Sequence, residues 1–506
     1  MKRKINCGRL SLLLFVLLIN QPVIAQNRNS RIDSLLTTLA NHHLFNGSVL
    51  VAEDGRIIYK KSIGYLDAAH RIPNSDTTHF NLASLSKPFT AIAVLQLVQK
   101  GKIKLDDVCA KYLPDFPYPT VTIKHLLNHT SGLPVLERYE ADYIKAHPDE
   151  PVSNESAYAQ LVQLKLPLYY QPGDNWGYNN ANYMVLAMLV EKVSKMPFAA
   201  YLKKNIFLPA NMPHTYLRSA NMANTIRYTY TSMYTTTRQN VDSLDHHQYN
   251  TYYNLGAIYG PGNVISTLQD LFNFDNTLAA GKLINADLMK IAFTPVTLNN
   301  GKVFHQGSST RSYGLGWSTY NNKTEPFTKF AFHDGHIVGL TTFLHRNLEK
   351  RQTIIFYDNT DNAPLQPMVS ISNILNGLPP QKIEVRQSLV RVYGETLVNK
   401  GIDYAAVKFN ELKSDTTNYY MDEMEMNHLG FDLLAAPSLQ YKTYALEVFK
   451  LNTLLYPNSG NTYDSYADAL ERNGKKEEAI AMYRRSIVLW PGNEEGKKAL
   501  LRLGVR

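Results

Sequence analysis

The stretch that most limits what this chain can become is Phe80–Ala91, Phe-Asn-Leu-Ala-Ser-Leu-Ser-Lys-Pro-Phe-Thr-Ala. It places Ser84 three residues before Lys87 and runs into an apolar segment, Ala91 to Val98, whose spacing predicts a helix closed by Lys100-Gly101. Residues three apart share one helical face, so the Lys87 amine can sit beside the Ser84 hydroxyl, at a helix N-terminus that favours a developing anion. A nucleophile and its base need that relation. The plainer reading is a serine cap followed by a solvated lysine. Against it, the chain has 28 serines, and only Ser84 has lysine at the third place after it.

The chain has 506 residues, 44% of them hydrophobic, enough for about three domains and a sizeable core. Lys2, Arg3, Lys4 and Arg9 precede the apolar run Leu10–Ile19, and Val23-Ile24-Ala25 offers a small residue for cleavage. Residues 1–25 therefore read as a secretory signal peptide, and the mature protein as periplasmic or secreted. The run is shorter than the ~20 residues a spanning helix needs, and no other stretch competes as a span. The net charge of +9 falls to +5 without the four basic residues of the leader. With no basic run interleaved with aromatics, the excess reads as solvated surface and excludes a nucleic-acid partner. Of two cysteines, Cys7 lies in the leader, so Cys109 has no intrachain partner in the mature chain. No Cys/His cluster has metal-ligand spacing, and nothing calls for a cofactor.

Taken in order, apolar positions at Ile32, Leu35, Leu36 and Leu39 predict a helix, and Gly47–Ala52 and Arg56–Lys61, joined through Asp54-Gly55, predict a hairpin. From Leu105 to about Leu255, Pro-rich turns alternate with short helical pieces, a helical lobe inserted between two parts of a sheet. It contains His129-Thr-Ser-Gly-Leu-Pro134, read as structural, and Tyr178-Asn-Asn180. Tyr-x-Asn also occurs at Tyr252, Tyr320, Tyr357 and Tyr456, but Tyr178 follows a Pro-Gly turn and precedes the amphipathic segment Tyr183–Val193. Later, Lys329–Phe332, Leu340–Leu344 and Gln352–Tyr357 predict three strands, with His333-Asp-Gly335 closing the first. His-x-Gly recurs at His305 and His428. By residue type alone Tyr178 could be a core tyrosine, Asn180 a turn residue and His333 a strand-end histidine bonded to backbone.

With Ser84-x-x-Lys87, Tyr178-x-Asn180 and His333-x-Gly335 in this order, the chain resembles the serine β-lactamase-related, penicillin-binding-protein-like hydrolases, closest to the class C β-lactamase, D-aminopeptidase and esterase branch. The likeness also includes Leu126–Pro134, Pro172–Lys195, Gly260–Leu271 and Phe332–Leu344. It implies an α/β fold: an antiparallel β-lactamase/transpeptidase-like sheet flanked by helices, with an inserted helical lobe. It implies a catalytic set of Ser84, Lys87 and Tyr178, with Ser84 becoming acylated and the other two sharing the proton work. Asn180 and His333 would bind substrate, Gly335 belongs to the third motif, and the oxyanion would sit between the N–H groups of Ser84 and His336. A lysine at its ordinary pKa of about 10.4 is a poor base at neutral pH, so this role requires an unusual environment for Lys87. One departure stands out. Where the β-lactamases have Lys-Thr-Gly or Lys-Ser-Gly, this chain has His-Asp-Gly, so it lacks that motif's permanent cation for a carboxylate and should open β-lactams slowly relative to neutral esters.

Pro379-Pro380 ends the resemblance. Ala445, Phe449 and Pro457 recur 34 residues later as Ala479, Tyr483 and Pro491, the period of tetratricopeptide repeats. The expected organisation is a signal peptide at 1–25, a hydrolase domain at 26–378, a helical linker at 379–426 and an all-α repeat region at 427–506. The repeats could hold a protein partner or only stabilise the chain. The function expected is an exported serine hydrolase acting on esters or amides of small molecules or peptides. The alternatives are an acyltransferase using the same acyl-enzyme and a binding or sensing protein that no longer turns over.

Overall fold

The computed structural model describes residues 27–505 apart from 219–228, 232–237, 241–257, 322–328 and breaks of one to four residues. The expected signal peptide at 1–25 lies outside the described residues. The chain divides into two compact units. One carries the described residues of 27–230 and 240–382, the other those of 231–239 and 383–505.

In the first unit a seven-stranded antiparallel sheet uses strands from both ends of the segment: β1 (Gly47–Glu53), β2 (Arg56–Ile63), β3 (Ser312–Tyr313), β4 (Ser318–Asn321), β5 (Lys329–Ile337), β6 (Leu340–Asn347) and β7 (Gln352–Asp358), in the order β3-β4-β5-β6-β7-β1-β2. Asp54 and Gly55 both take positive φ, 50° and 72°, the two-residue turn that matches the twist of a hairpin. Strands β6 and β7 are buried along their whole length, so neither shows polar alternation, whereas the edge strand β2 carries Arg56, Lys60 and Lys61. Helix α1 (27–41) buries Ile32, Leu35, Leu36 and Leu39 at 5% exposure or less, as the spacing predicts.

Helix α2 (Lys87–Gln99) is the spine of this unit. Every residue from Lys87 to Leu97 is buried, which is why the sequence there is apolar all round, and Pro88 sits in the first turn, where no N–H is needed. It starts four residues earlier than its apolar run suggests. The inserted lobe contributes Ile123–Leu127, Asn154–Leu164 and α3 (Asn180–Ser194), whose first turn is capped by the Asn179 side chain accepting the Ala181 N–H. Strand Val264–Ser266 then pairs with Phe80–Asn81 and Tyr216–Leu217 in a small sheet and leads into α4 (Leu268–Ala279). The three predicted late strands are present. The first extends further than expected: His333-Asp-Gly335 lies inside β5, because pairing with β6 continues to Ile337↔Leu340.

The second unit is helical: α5 (Leu389–Lys400), α6 (Ile402–Leu412), α7 (Glu423–Ala435), α8 (Leu439–Leu455), α9 (Gly460–Arg472), α10 (Lys476–Leu489) and α11 (Glu494–Arg502). Ala445 and Phe449 on α8 and Ala479 and Tyr483 on α10 are all buried, and Pro457 and Pro491 follow the ends of those helices. Phe449 packs so closely on α7 that a Cβ at Gly430 would meet its ring at 2.6 Å. Among the described residues no helix is long and apolar enough to cross a membrane, and no group of three or more His, Cys, Asp or Glu is placed to hold a metal ion.

Candidate active site

Ser84 stands in a single turn of 3₁₀ helix, Ala83–Ser86, that runs directly into α2. It does not cap the helix. The N-cap is Ser86, whose side chain makes no cap bond and instead accepts the Val264 N–H at 3.1 Å. The preceding residue, Ala83, is buried with φ +48°, a left-handed conformation that costs an L-residue roughly 1–2 kcal/mol. The surrounding bonds over-determine it: the Ala83 N–H donates to Asn81 Oδ1 at 2.8 Å, the Leu82 N–H to the Val264 carbonyl at 2.8 Å, and Thr342 Oγ1 to the Leu82 carbonyl at 2.8 Å. Gly335 of β5 packs against that same carbonyl so tightly that a Cβ would lie 1.9 Å from its oxygen. Only glycine lets the strand come this close to the turn.

Lys87 is fully buried, and its Nζ donates to Ser84 Oγ at 2.9 Å, Asn180 Oδ1 at 2.9 Å and the Pro261 carbonyl at 3.0 Å among the described residues. Two of these can only accept, so two amine protons are committed to Asn180 and Pro261. The third tetrahedral position of nitrogen faces Ser84, either as an N–H donated to Oγ or, in the neutral amine, as a lone pair able to take the hydroxyl proton. Asn180, at the start of α3, is half-buried, and among the described residues its Nδ2 makes no hydrogen bond. The Pro261 carbonyl was not foreseen from the sequence. It is presented by the turn at Gly260, whose φ of +104° and close approach to the Tyr183 carbonyl admit no side chain, while the Gly260 carbonyl accepts from Thr90 Oγ1.

Tyr178 precedes α3 and joins the set through its ring, whose centroid lies 4.7 Å from Lys87 Nζ, with its phenol in the electrostatic reach of Ser84. Desolvation pushes its phenol well above the usual value near 10, with the neighbouring Ser84 opposing the rise, so it stays neutral at physiological pH. The ring still exposes 40% of its surface: the residue forms part of an open wall with its hydroxyl turned inward, and water tempers the shift. His129, read from the sequence as structural, is fully buried against the Tyr178 ring, with centroids 4.5 Å apart.

The third motif behaves differently from expectation. His333 is 2% exposed and has both ring nitrogens occupied inside the protein, Nδ1 by the Asp334 carbonyl at 2.7 Å and Nε2 by the Tyr313 hydroxyl at 3.0 Å. A carbonyl only accepts, so Nδ1 carries the proton and Tyr313 donates to Nε2. Burial lowers the ring to about 4; Asp334 opposes this, while Lys87 and Arg311 add to it. In this structure the ring is neutral and both of its polar atoms are bonded within the protein. The motif presents backbone instead. Because the Leu348 N–H donates to the Lys329 carbonyl, residues 329, 331, 333, 335 and 337 turn their amides toward β6, and Asp334 and His336 turn theirs to the opposite flank, beyond the end of β4 pairing at Phe332. A cation does stand at this end, and sequence reading missed it. Arg311 lies over the Phe332 ring, with its guanidinium 3.7 Å from the Asp334 carboxylate and about a third of its side chain exposed.

A family model described as Beta-lactamase matches residues 32–368. Penicillin-binding protein 4* of Bacillus subtilis (strain 168) is 36% identical over 342 residues, covering 66% of this chain and 73% of that protein. Among solved structures, a penicillin-binding protein from Bacillus halodurans superposes with a TM-score of 0.56 at 24% identity, covering 66% of this chain and 97% of its own. The D-amino acid amidase of Ochrobactrum anthropi SV3 superposes with a TM-score of 0.55 at 20% identity, covering 69% and 99%. At these identities the two structures speak for a shared fold.

Proposed function

The chain belongs to the Beta-lactamase family and is a serine hydrolase, and from that premise we propose that it is an exported enzyme that cleaves ester or amide substrates through an acyl-Ser84 intermediate. The observation that carries this reading is the arrangement at Lys87, where Asn180 and Pro261 each hold one amine proton and the remaining position of nitrogen faces Ser84 Oγ at 2.9 Å. As Oγ attacks an acyl carbon, its proton passes to the Lys87 nitrogen in its deprotonated form. The Tyr178 phenol, on the ring that lies 4.7 Å from Nζ, relays a proton onward to the leaving group. We assign the developing oxyanion to the amides of Ser84 and His336, a pair of donors typically worth ~10²–10³ in rate apiece. Asn180 Nδ2 would orient the substrate's amide or ester side, Gly335 would keep β5 against the Ser84 turn, and His333 would hold the motif through Tyr313 without touching substrate.

The basic residues and apolar run within residues 1–25 support export, and water is the acceptor we assign; added alcohols or amines that divert the acyl group would reassign the enzyme as a transferase. We place the hydrolase domain at 26–378, a linker at 379–426 and tetratricopeptide-like helix pairs at 427–506, a reading supported by the 34-residue recurrence of buried positions. Whether the pairs hold a protein partner is tested by copurification with and without them. The test of the central reading is Ser84→Ala. It should abolish turnover of a p-nitrophenyl ester with an unchanged melting temperature, since Ser84 caps nothing. Substantial residual turnover in the folded variant would remove Ser84 as nucleophile.

A further inference from the structure

His129 grips the chain on both sides of Tyr178. Its carbonyl accepts the Gly177 N–H at 3.0 Å and its ring Nδ1 accepts the Asn179 N–H at 3.1 Å, so both flanking residues are fixed by one histidine. The ring then packs on the Tyr178 ring, with planes 36° apart. The acceptor state of Nδ1 is set by a second line of contacts. Ser131 Oγ donates to Asn182 Oδ1 at 2.6 Å, which turns Asn182 Nδ2 toward Nδ1 at 3.2 Å. Two donors thus converge on Nδ1, and the ring proton belongs on Nε2, where it has no hydrogen-bond partner and is surrounded by the rings of Tyr178, Tyr183, Tyr313 and Trp176.

Folding stability alone gives little reason for a histidine here. The backbone is left-handed, with φ +63°, which asparagine or glycine adopts at lower cost, and a buried unpaired donor is itself unfavourable. What the imidazole supplies is an acceptor aimed at the Tyr178 peptide from a rigid loop. We propose that His129 is a positioning residue for the reaction: by fixing residues 177–179 it holds the Tyr178 hydroxyl in reach of Ser84, while touching neither substrate nor nucleophile. The proposal rests on the proton-relay role given to Tyr178 above.

The test compares His129→Asn with His129→Leu, near-isosteric side chains of which only Asn offers an acceptor where Nδ1 stood, each made with Tyr178 intact and with Tyr178→Phe. His129→Gly, which suits the left-handed backbone, replaces the Leu variant should that one not fold. With Tyr178 intact, His129→Asn should lower kcat for a p-nitrophenyl ester by less than about tenfold, and His129→Leu by about 10²-fold with KM little changed, the scale expected for a misplaced catalytic group. With Tyr178→Phe the gap between Asn and Leu should close to within about threefold, because the group being positioned is gone. An equal gap in both backgrounds would overturn the proposal and leave His129 a structural residue. A Tyr178→Phe enzyme as active as the unmodified protein would be a different outcome, removing the Tyr178 relay and with it anything to position.

Discussion

Ser84 and Lys87 form one local unit: three residues apart, their geometry follows from the helical backbone between them. Tyr178 could be read only from its surroundings, since its short pattern recurs. The Pro261 carbonyl, Arg311 and the positioning role proposed for His129 have no such local signal, for separate reasons. A backbone carbonyl has no side-chain signature, His129 acts through peptides distant in sequence, and Arg311 lies in a Ser/Thr-rich stretch with no motif of its own. Arg311 also changes the substrate argument. The neutral, buried His333 cannot replace the missing third-motif lysine, but a partly exposed guanidinium at the same end of the site can meet a carboxylate. Its pairing with Asp334 at 3.7 Å weakens that attraction. Arg311→Ala should therefore lower kcat/KM for a carboxylate-bearing cephalosporin or peptide about tenfold more than for a neutral ester, the scale of one charge-assisted hydrogen bond. Equal losses on both substrates would show that Arg311 does not meet the carboxylate.

Among the elements, β5 and α2 show where periodicity failed and why. The apolar run of β5 stops at Phe332, yet the strand continues, because pairing with the fully buried β6 carries His333-Asp-Gly-His through without apolar alternation. Helix α2 begins at Lys87 because its first turn is buried and its polar side chains find fixed partners. The same burial places two histidines inside the sheet: His333 on β5, lowered to about 4, and His345 on β6, bonded to Tyr320 and lowered to about 3 by desolvation. Each folded value lies below the ordinary 6.5, so between those values and 6.5 the unfolded chain binds more protons and stability rises with pH. The contribution is complete above 6.5 and is lost as pH falls through the window, at up to about 1.4 kcal/mol per pH unit for each ring. Urea unfolding followed at pH 7 and pH 5 should show a loss of roughly 2–4 kcal/mol at the lower pH. Unchanged or increased stability at pH 5 would contradict the burial of uncharged rings. The carboxylates held low by cations and hydrogen bonds, Asp33, Asp76 and Asp107, act at lower pH and do not mask the effect.

For the whole molecule, the residues proposed for chemistry all belong to the unit that carries 27–230 and 240–382. The sheet was legible in outline because its strands are apolar and bounded by turns. Its strand order was not, since β1 pairs with β7 across some three hundred residues and local pattern carries no such information. A protein of residues 26–382 should keep ester hydrolysis, measured beside the full chain; a soluble, folded truncation without any activity would show that the helical unit is needed to order the site. The central claim, that catalysis passes through an acyl group on Ser84, is tested most directly by intact-mass spectrometry of the protein stopped seconds after mixing with a panel of esters, D-peptides and β-lactams. The account predicts a gain equal to one acyl group, mapping to the peptide that contains Ser84 and absent from Ser84→Ala. An adduct on another residue, or steady turnover by Ser84→Ala, would contradict it.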